Sequence, residues 1–195
     1  MVEPIIAYGH NILRTKCEHV SDITGDINYL INNLWQTLEK SGGVGLASPQ
    51  INNKYNVFVV NSYLMYENLS NSERKELFSK DKGIKETFIN AKIIDKSEEK
   101  WSEVEGCLSI PGIVESVDRS WDIIVEYYDS DFNKKKHQYS GYTAKVIQHE
   151  YDHTNGVLFI DHLSSLNKKL VNNKLKHIIN GKVKVDYPIQ YIKRT

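Results

Sequence analysis

Only two cysteines occur in the 195 residues, Cys17 and Cys107. That is too few for a disulfide framework, and both thiols are expected to be reduced. Hydrophobic runs are short as well, none approaching the roughly 20 residues a membrane-spanning helix needs. The opening MVEPIIAYGHNILR carries Glu3 and Pro4 where a secretory signal would have basic residues ahead of an apolar stretch. It also lacks the Arg-rich, acid-poor look of a transit peptide, so a cytoplasmic protein is expected. Net charge is missing too: 25 basic residues balance 25 acidic ones. No overall bias therefore draws the molecule to DNA or to a membrane surface, and neither is an expected partner.

What is present reads as one α+β domain over residues 1–195. Between Thr24 and Lys40, Ile27, Leu30, Ile31, Leu34 and Leu38 recur on one helical face, and Gly42-Gly43 supplies a stop. Asn56 to Val60, NVFVV, is a β-branched apolar run that predicts a buried strand. Residues 63–86 are polar and charged and read as a surface insertion with a short helix between Ser70 and Ser79. Strand signals return in TFINAKII, GIVESV and WDIIVEYYD, and Asp131-Phe132-Asn133 turns the last of these into KKKHQYS as a hairpin. A second helix is predicted over Tyr142 to Tyr151. A third spans Leu163 to Ile179, with Leu163, Leu166, Leu170, Ile178 and Ile179 as its imperfect apolar stripe. KVKVDY follows as a last extended segment. The expected architecture is short, mostly antiparallel strands around a central helix, with an N-terminal and a C-terminal helix.

The central helix carries QHEYDH, with His149, Glu150 and His153 in the spacing H-E-x-x-H. Residues i and i+4 lie on one helical face, so both imidazoles can address one ion while Glu150 starts beside them. Two ligands do not complete a catalytic site. The protease solutions fail: HEYDHTNGVLF has Phe159 where one group needs a third histidine, and no glutamate follows Glu150 for the other. His162 and Asp161 remain as donors, at no spacing that recommends them. Cys107, in the extended bend EGCLSIPG, offers a thiolate, a strong soft ligand. Cys17 lacks such neighbours and reads as structural. In GGVGLASPQ, Gly43 and Gly45 let the backbone approach a ligand closely, and Gln50 offers an amide donor.

Taken together, GVGLASPQ, EGCLSIP and HEYDH resemble the peptide deformylase patterns G-x-G-L-A-x-P-Q, E-G-C-L-S and H-E-x-x-D-H. IIAYGHNILR and NGVLFIDHL also look like that family, so the resemblance covers most of the chain. It implies removal of the N-formyl group from the methionine that begins newly made proteins, with an N-formyl-Met nascent peptide as partner. By the same resemblance Cys107, His149 and His153 are the metal ligands, Fe²⁺ being usual in the cell and Zn²⁺ or Ni²⁺ in purified material. Glu150 is the general base. Gln50 and the backbone N–H of Leu108 are the oxyanion donors, and Gly45 lies beside the substrate. Val44, Tyr142 and Val146 are expected to line the methionine pocket, and the peptide to lie as an added strand between GVGL and the residues after Pro111. Glu105 and Arg119 match an acid–base pair that would orient the Cys107 loop.

Two departures stand out. Ser48 occupies a position where alanine is commoner, and Val114 one where an arginine often contacts the substrate. The C-terminal part carries eight Lys or Arg against a single acid, Asp186. It reads as a solvated helix face or, alternatively, as a ribosome contact through RNA phosphates. Competing with the deformylase reading are an H-E-x-x-H zinc protease, short of its third ligand, and a non-catalytic metal-binding domain, which would have no use for Glu150.

Overall fold

In the computed structural model, which describes residues 1–22, 24–78 and 81–192, the first long element is helix α1, Gly25–Ser41. Its apolar positions Ile27, Leu30, Ile31, Leu34 and Leu38 are all buried. Gly42 ends it in the left-handed region at φ 69°, its N–H bonded to the Leu38 carbonyl, a conformation glycine adopts without a Cβ penalty. The chain reverses there into strand β2, Gly45–Ala47, ahead of β3, Val57–Asn61. A short first strand, β1, Ile5–Ile6, precedes α1.

Strand β3 explains why NVFVV has no polar alternation. Val57 and Val59 pack with the apolar face of α1, whereas Phe58 and Val60 join the cluster under the central helix, so both faces are covered. With β4 (Lys85–Lys96), β7 (Asp122–Tyr128) and β8 (Lys134–Ser140) these strands form a five-stranded antiparallel sheet in the order β2-β3-β4-β7-β8. Strand β2 is one of its two edges. The β7–β8 hairpin closes as expected: Phe132 takes φ 62°, and the Asp129 carboxylate accepts from the Asp131 and Asn133 N–H groups.

A second antiparallel pair, β5 (Lys100–Gly106) with β6 (Val114–Ser120), carries the Cys107 loop between its strands. Strand β5 escapes a sequence reading because WSEVEG has only two apolar side chains, Trp101 and Val104, against two glutamates. Helix α4, Gly141–Thr154, is the central one, and it runs past the expected Tyr151 far enough to include His153. Gln148 is buried with its amide partnered at both ends: it donates to the Ser120 carbonyl at 2.9 Å and accepts from the Ser120 N–H at 3.3 Å. That pair ties α4 to β6.

Three segments differ from expectation. Residues 63–86 contain two helices, α2 (Ser62–Asn68) and α3 (Asn71–Leu77), and Lys85 and Glu86 already belong to β4. The insertion is not all surface either, since Phe78 is buried against Tyr66 and Tyr142. Ser79, the expected helix end, lies outside the described residues. Helix α5, Ser165–Ile179, starts after its cap Ser164 and buries Val171, Leu175 and Ile178. Leu166 and Leu170, counted in the expected stripe, are two-thirds exposed, because the 3₁₀ turn Phe159–His162 delivers Leu163 to the core and leaves the next turns facing outward. KVKVDY is irregular. The last strand is β9, Ile189–Gln190, which pairs in parallel with β1. Lys193 and Arg194 lie outside the described residues. No described helix is long and apolar enough to cross a membrane.

Candidate active site

Helix α4 presents His149 and His153 one turn apart, their ring centroids 5.0 Å from each other. Cys107 arrives from the β5–β6 connection. Its carbonyl accepts from the Ile110 N–H at 2.9 Å, a tight turn that leaves the sulfur 3.3 Å from His153 Nε2. One ligand atom from each of Cys107, His149 and His153 lies within 4.8 Å of the other two. A thiolate and two imidazoles in this enclosed spot suit a divalent ion of the iron or zinc kind, and three protein donors leave a coordination position for water or substrate.

His149 is oriented, and His153 kept neutral, in ways that suit such an ion; burial alone would lower His149, but its bonds to Cys107 and Glu105 raise it well above the ordinary histidine range. His149 Nδ1 lies 2.8 Å from Glu105 Oε2, which fixes the ring and reserves Nε2. His153 is buried, and Nδ1 has no partner. Burial and the neighbouring His149 push it well below the ordinary histidine range, so it stays neutral. Glu105 in turn meets the Arg119 guanidinium in a fork, Nε to Oε1 at 2.8 Å and Nη2 to Oε2 at 3.1 Å. Burial alone would raise the Glu105 carboxyl, but the His149 and Arg119 bonds hold it down at about 2. Arg119 also bonds Asp152, which accepts from His162 at 2.7 Å. His162 is thus engaged away from the site, and Asp161 pairs with Arg14. Neither joins the ligand group.

Glu150 is 4% exposed, and its Oε2 has no hydrogen-bond partner. Burial pushes its carboxyl up to about 7, against the pull of His149. A carboxyl balanced near neutrality can both take and return a proton. Gly45 makes its position possible: a Cβ there would stand 2.5 Å from Glu150 Oε1. Gln50 Oε1 accepts from the Ala47 N–H at 2.8 Å, which turns Nε2 toward Cys107 Sγ at 3.5 Å and Ser109 Oγ at 3.3 Å.

Gly45, Gln50, Glu105, Cys107, His149 and Glu150 border one cavity of about 610 Å³. Val44, Tyr142, Val146 and His149 are in its wall, as is Val114, which is 63% exposed. Sequence reasoning missed two contributors. Lys145, on the helical face shared by Tyr142 and His149, donates to the Val104 carbonyl at 2.7 Å; its spacing on α4 was the available signal. The other is the stretch Val185 to Tyr187. The Tyr187 hydroxyl donates to the Leu108 carbonyl at 2.8 Å, and burial together with the Cys107 sulfur pushes it up to about 12, so it stays a donor. No local pattern announces that contact. Phe159, which stands where a protease would need histidine, is buried in the core beside the His149 ring.

The family model described as polypeptide deformylase matches residues 2–169. A peptide deformylase of Christiangramia forsetii is 42% identical over 193 residues, covering 98% of this chain and 96% of the relative. One from Flavobacterium psychrophilum is 41% identical over 194 residues, covering 98% of each. Among solved structures, the peptide deformylase of Ehrlichia chaffeensis superposes with a TM-score of 0.79 at 29% identity, covering 90% of this chain and 96% of that one. A Plasmodium falciparum peptide deformylase gives 0.77 at 32% identity, covering 91% and 95%. The protease and non-catalytic alternatives are not favoured by these likenesses.

Proposed function

The chain belongs to the peptide deformylase family of metalloenzymes, which remove the formyl group from an N-terminal methionine, and we propose that Cys107, His149 and His153 are its metal ligands and Glu150 its proton carrier. When bound, the ion polarises the formyl carbonyl and acidifies a water to a pKa near ~7. Glu150 takes a proton from the attacking water and delivers it to the amine nitrogen as the C–N bond breaks, giving formate and a free peptide N-terminus. Gln50 Nε2 and the Leu108 N–H donate to the formyl oxygen while negative charge grows on it. Glu105, clamped by Arg119, keeps His149 in the ligating tautomer.

In this reading the methionine side chain lies against Val44, Tyr142 and Val146. The peptide backbone runs beside Gly45 along the free edge of β2, facing the segment after Pro111, where main-chain groups can pair as an added strand. Residues 1–195 form one catalytic unit with 63–86 as an insertion. Fe²⁺ is the ion in the cell, with Zn²⁺ or Ni²⁺ able to replace it in purified protein, and the enzyme works in the cytoplasm. Helix α5 exposes Lys168, Lys169, Lys174 and Lys176, which suits a contact with ribosomal RNA phosphates. Co-sedimentation with ribosomes that survives charge reversal at these four lysines would exclude it.

The observation that supports this reading best is the convergence of the Cys107, His149 and His153 ligand atoms within 4.8 Å of one another, beside a cavity lined by Cys107, His149 and the carboxylate of Glu150, whose Oε2 has no partner. Anaerobically prepared, metal-replete protein given a formyl-Met peptide is expected to release formate, with internal peptide bonds left intact. Cleavage of an internal bond instead would return the protease reading.

A further inference from the structure

The loop that carries Cys107 and Leu108 is anchored from several directions. The Cys107 carbonyl accepts from the Ile110 N–H at 2.9 Å, and the Ser109 carbonyl from the Tyr8 N–H at 2.8 Å. The Leu108 carbonyl is held differently, by the Tyr187 hydroxyl at 2.8 Å, across 79 positions of sequence. Tyr187 reaches it because β9 adds to β1: Ile189 pairs with Ile5, and the Ile5 N–H bonds the Pro188 carbonyl at 2.8 Å. Tyr187 and Leu108 both pack against the α1 core cluster. The family match ends at residue 169, so this anchor comes from outside the matched segment.

Leu108 sits between two rigid peptide planes joined only through its own φ and ψ. The plane before it carries its N–H and is pinned at the Cys107 carbonyl; the plane after it is pinned at the Leu108 carbonyl. The Cys107 pin comes from Ile110 within the same turn, so release of the Tyr187 bond lets the turn tilt as a unit about the Ser109–Tyr8 bond, and the Leu108 N–H tilts with it.

We propose that Tyr187 is a positioning residue for deformylation, holding the Leu108–Ser109 peptide so that the Leu108 N–H points at the formyl oxygen. This rests on the reading of that N–H as an oxyanion donor. The C-terminal segment is then part of the catalytic apparatus rather than a tail. Misdirecting a donor costs less than deleting one, which lowers kcat about 10²–10³-fold.

The test compares metal-loaded wild type with Tyr187→Phe on a formyl-Met tripeptide. The expected loss is about tenfold in kcat with KM within about twofold, the pattern of an interaction made mainly in the transition state. Metal content and Tm should match wild type. The loss should shrink on the thioformyl analogue, whose sulfur accepts hydrogen bonds weakly. Tyr191→Phe, which removes a hydroxyl bonded to the Val183 carbonyl on the same segment, should keep wild-type kcat. An unchanged kcat for Tyr187→Phe overturns the assignment. So does a lowered Tm with equal losses on the formyl and thioformyl peptides, which marks a structural role. A wild type that releases no formate contradicts the underlying reading itself.

Discussion

Glu105 Oε2 stands 2.8 Å from His149 Nδ1, and this contact joins the β5 strand to the face of α4 that carries the proposed ligands. The same carboxylate accepts two bonds from Arg119, which is itself only 5% exposed. A buried acid of this kind is stable only with its charge matched, and here the guanidinium does so while the imidazole adds a hydrogen bond. The arrangement makes Glu105 the link between the position of the Cys107 loop and the orientation of His149.

Glu105→Gln keeps the shape but replaces one acceptor oxygen with an NH₂ group that faces donors on both sides. Metal affinity should fall about 10–100-fold, as when the outer partner of a ligating histidine is lost. A chelator-competition titration measures it, with formate turnover assayed in parallel. Unchanged affinity and unchanged turnover would show that the contact orients nothing.

Gly45→Ala should separate folding from chemistry. The new Cβ falls 2.5 Å from Glu150 Oε1, so the carboxylate must move, while β2 remains a strand that alanine tolerates. Displacing a general acid–base lowers kcat by about 10²–10⁴-fold. Circular dichroism and metal content should stay near wild type. Full activity in this variant would mean that Glu150 does not need the position it occupies.

How far the sequence foretold this site depends on the residue. His149, Glu150 and His153 were legible because helical periodicity alone puts them together, and Cys107 because thiolate chemistry complements two imidazoles. Helix α1 announced itself through Ile27, Leu30, Ile31, Leu34 and Leu38. Glu105 on β5 was not readable from its strand, since WSEVEG alternates charge with apolar residues and only Arg119 and His149 turn that acid inward. Leu166 and Leu170 looked like core by spacing, yet tertiary packing chose Val171 and Leu175 instead. Tyr187 was illegible for a plainer reason: its partner lies 79 positions away, and nothing local requires them to meet.

Asp129 gives a pH dependence that is independent of the metal site. Burial alone would raise its carboxyl, but the Asn133 N–H, the Lys135 ammonium at 3.3 Å, the Asn133 side chain and the Asp131 N–H outweigh that and hold it below the usual range. A carboxyl depressed by folding stabilises the native state above its unfolded pKa, and the contribution fades as pH falls through the lower folded value. Asp129→Ala should therefore cost about 1–3 kcal/mol at pH 7, with the gap to wild type narrowing once pH drops below about 4. Urea denaturation across that range measures it. A gap that is constant with pH would contradict the charge-based account of the turn.

The most direct test of the centre as a whole is single-turnover formate release by Glu150→Gln, with metal content measured on the same sample. One bound ion per chain is expected, as in wild type, with a rate lowered by at least about 10²-fold, because the ligands remain while the proton carrier is gone. A Glu150→Gln protein that holds its ion and releases formate at the wild-type rate would contradict it.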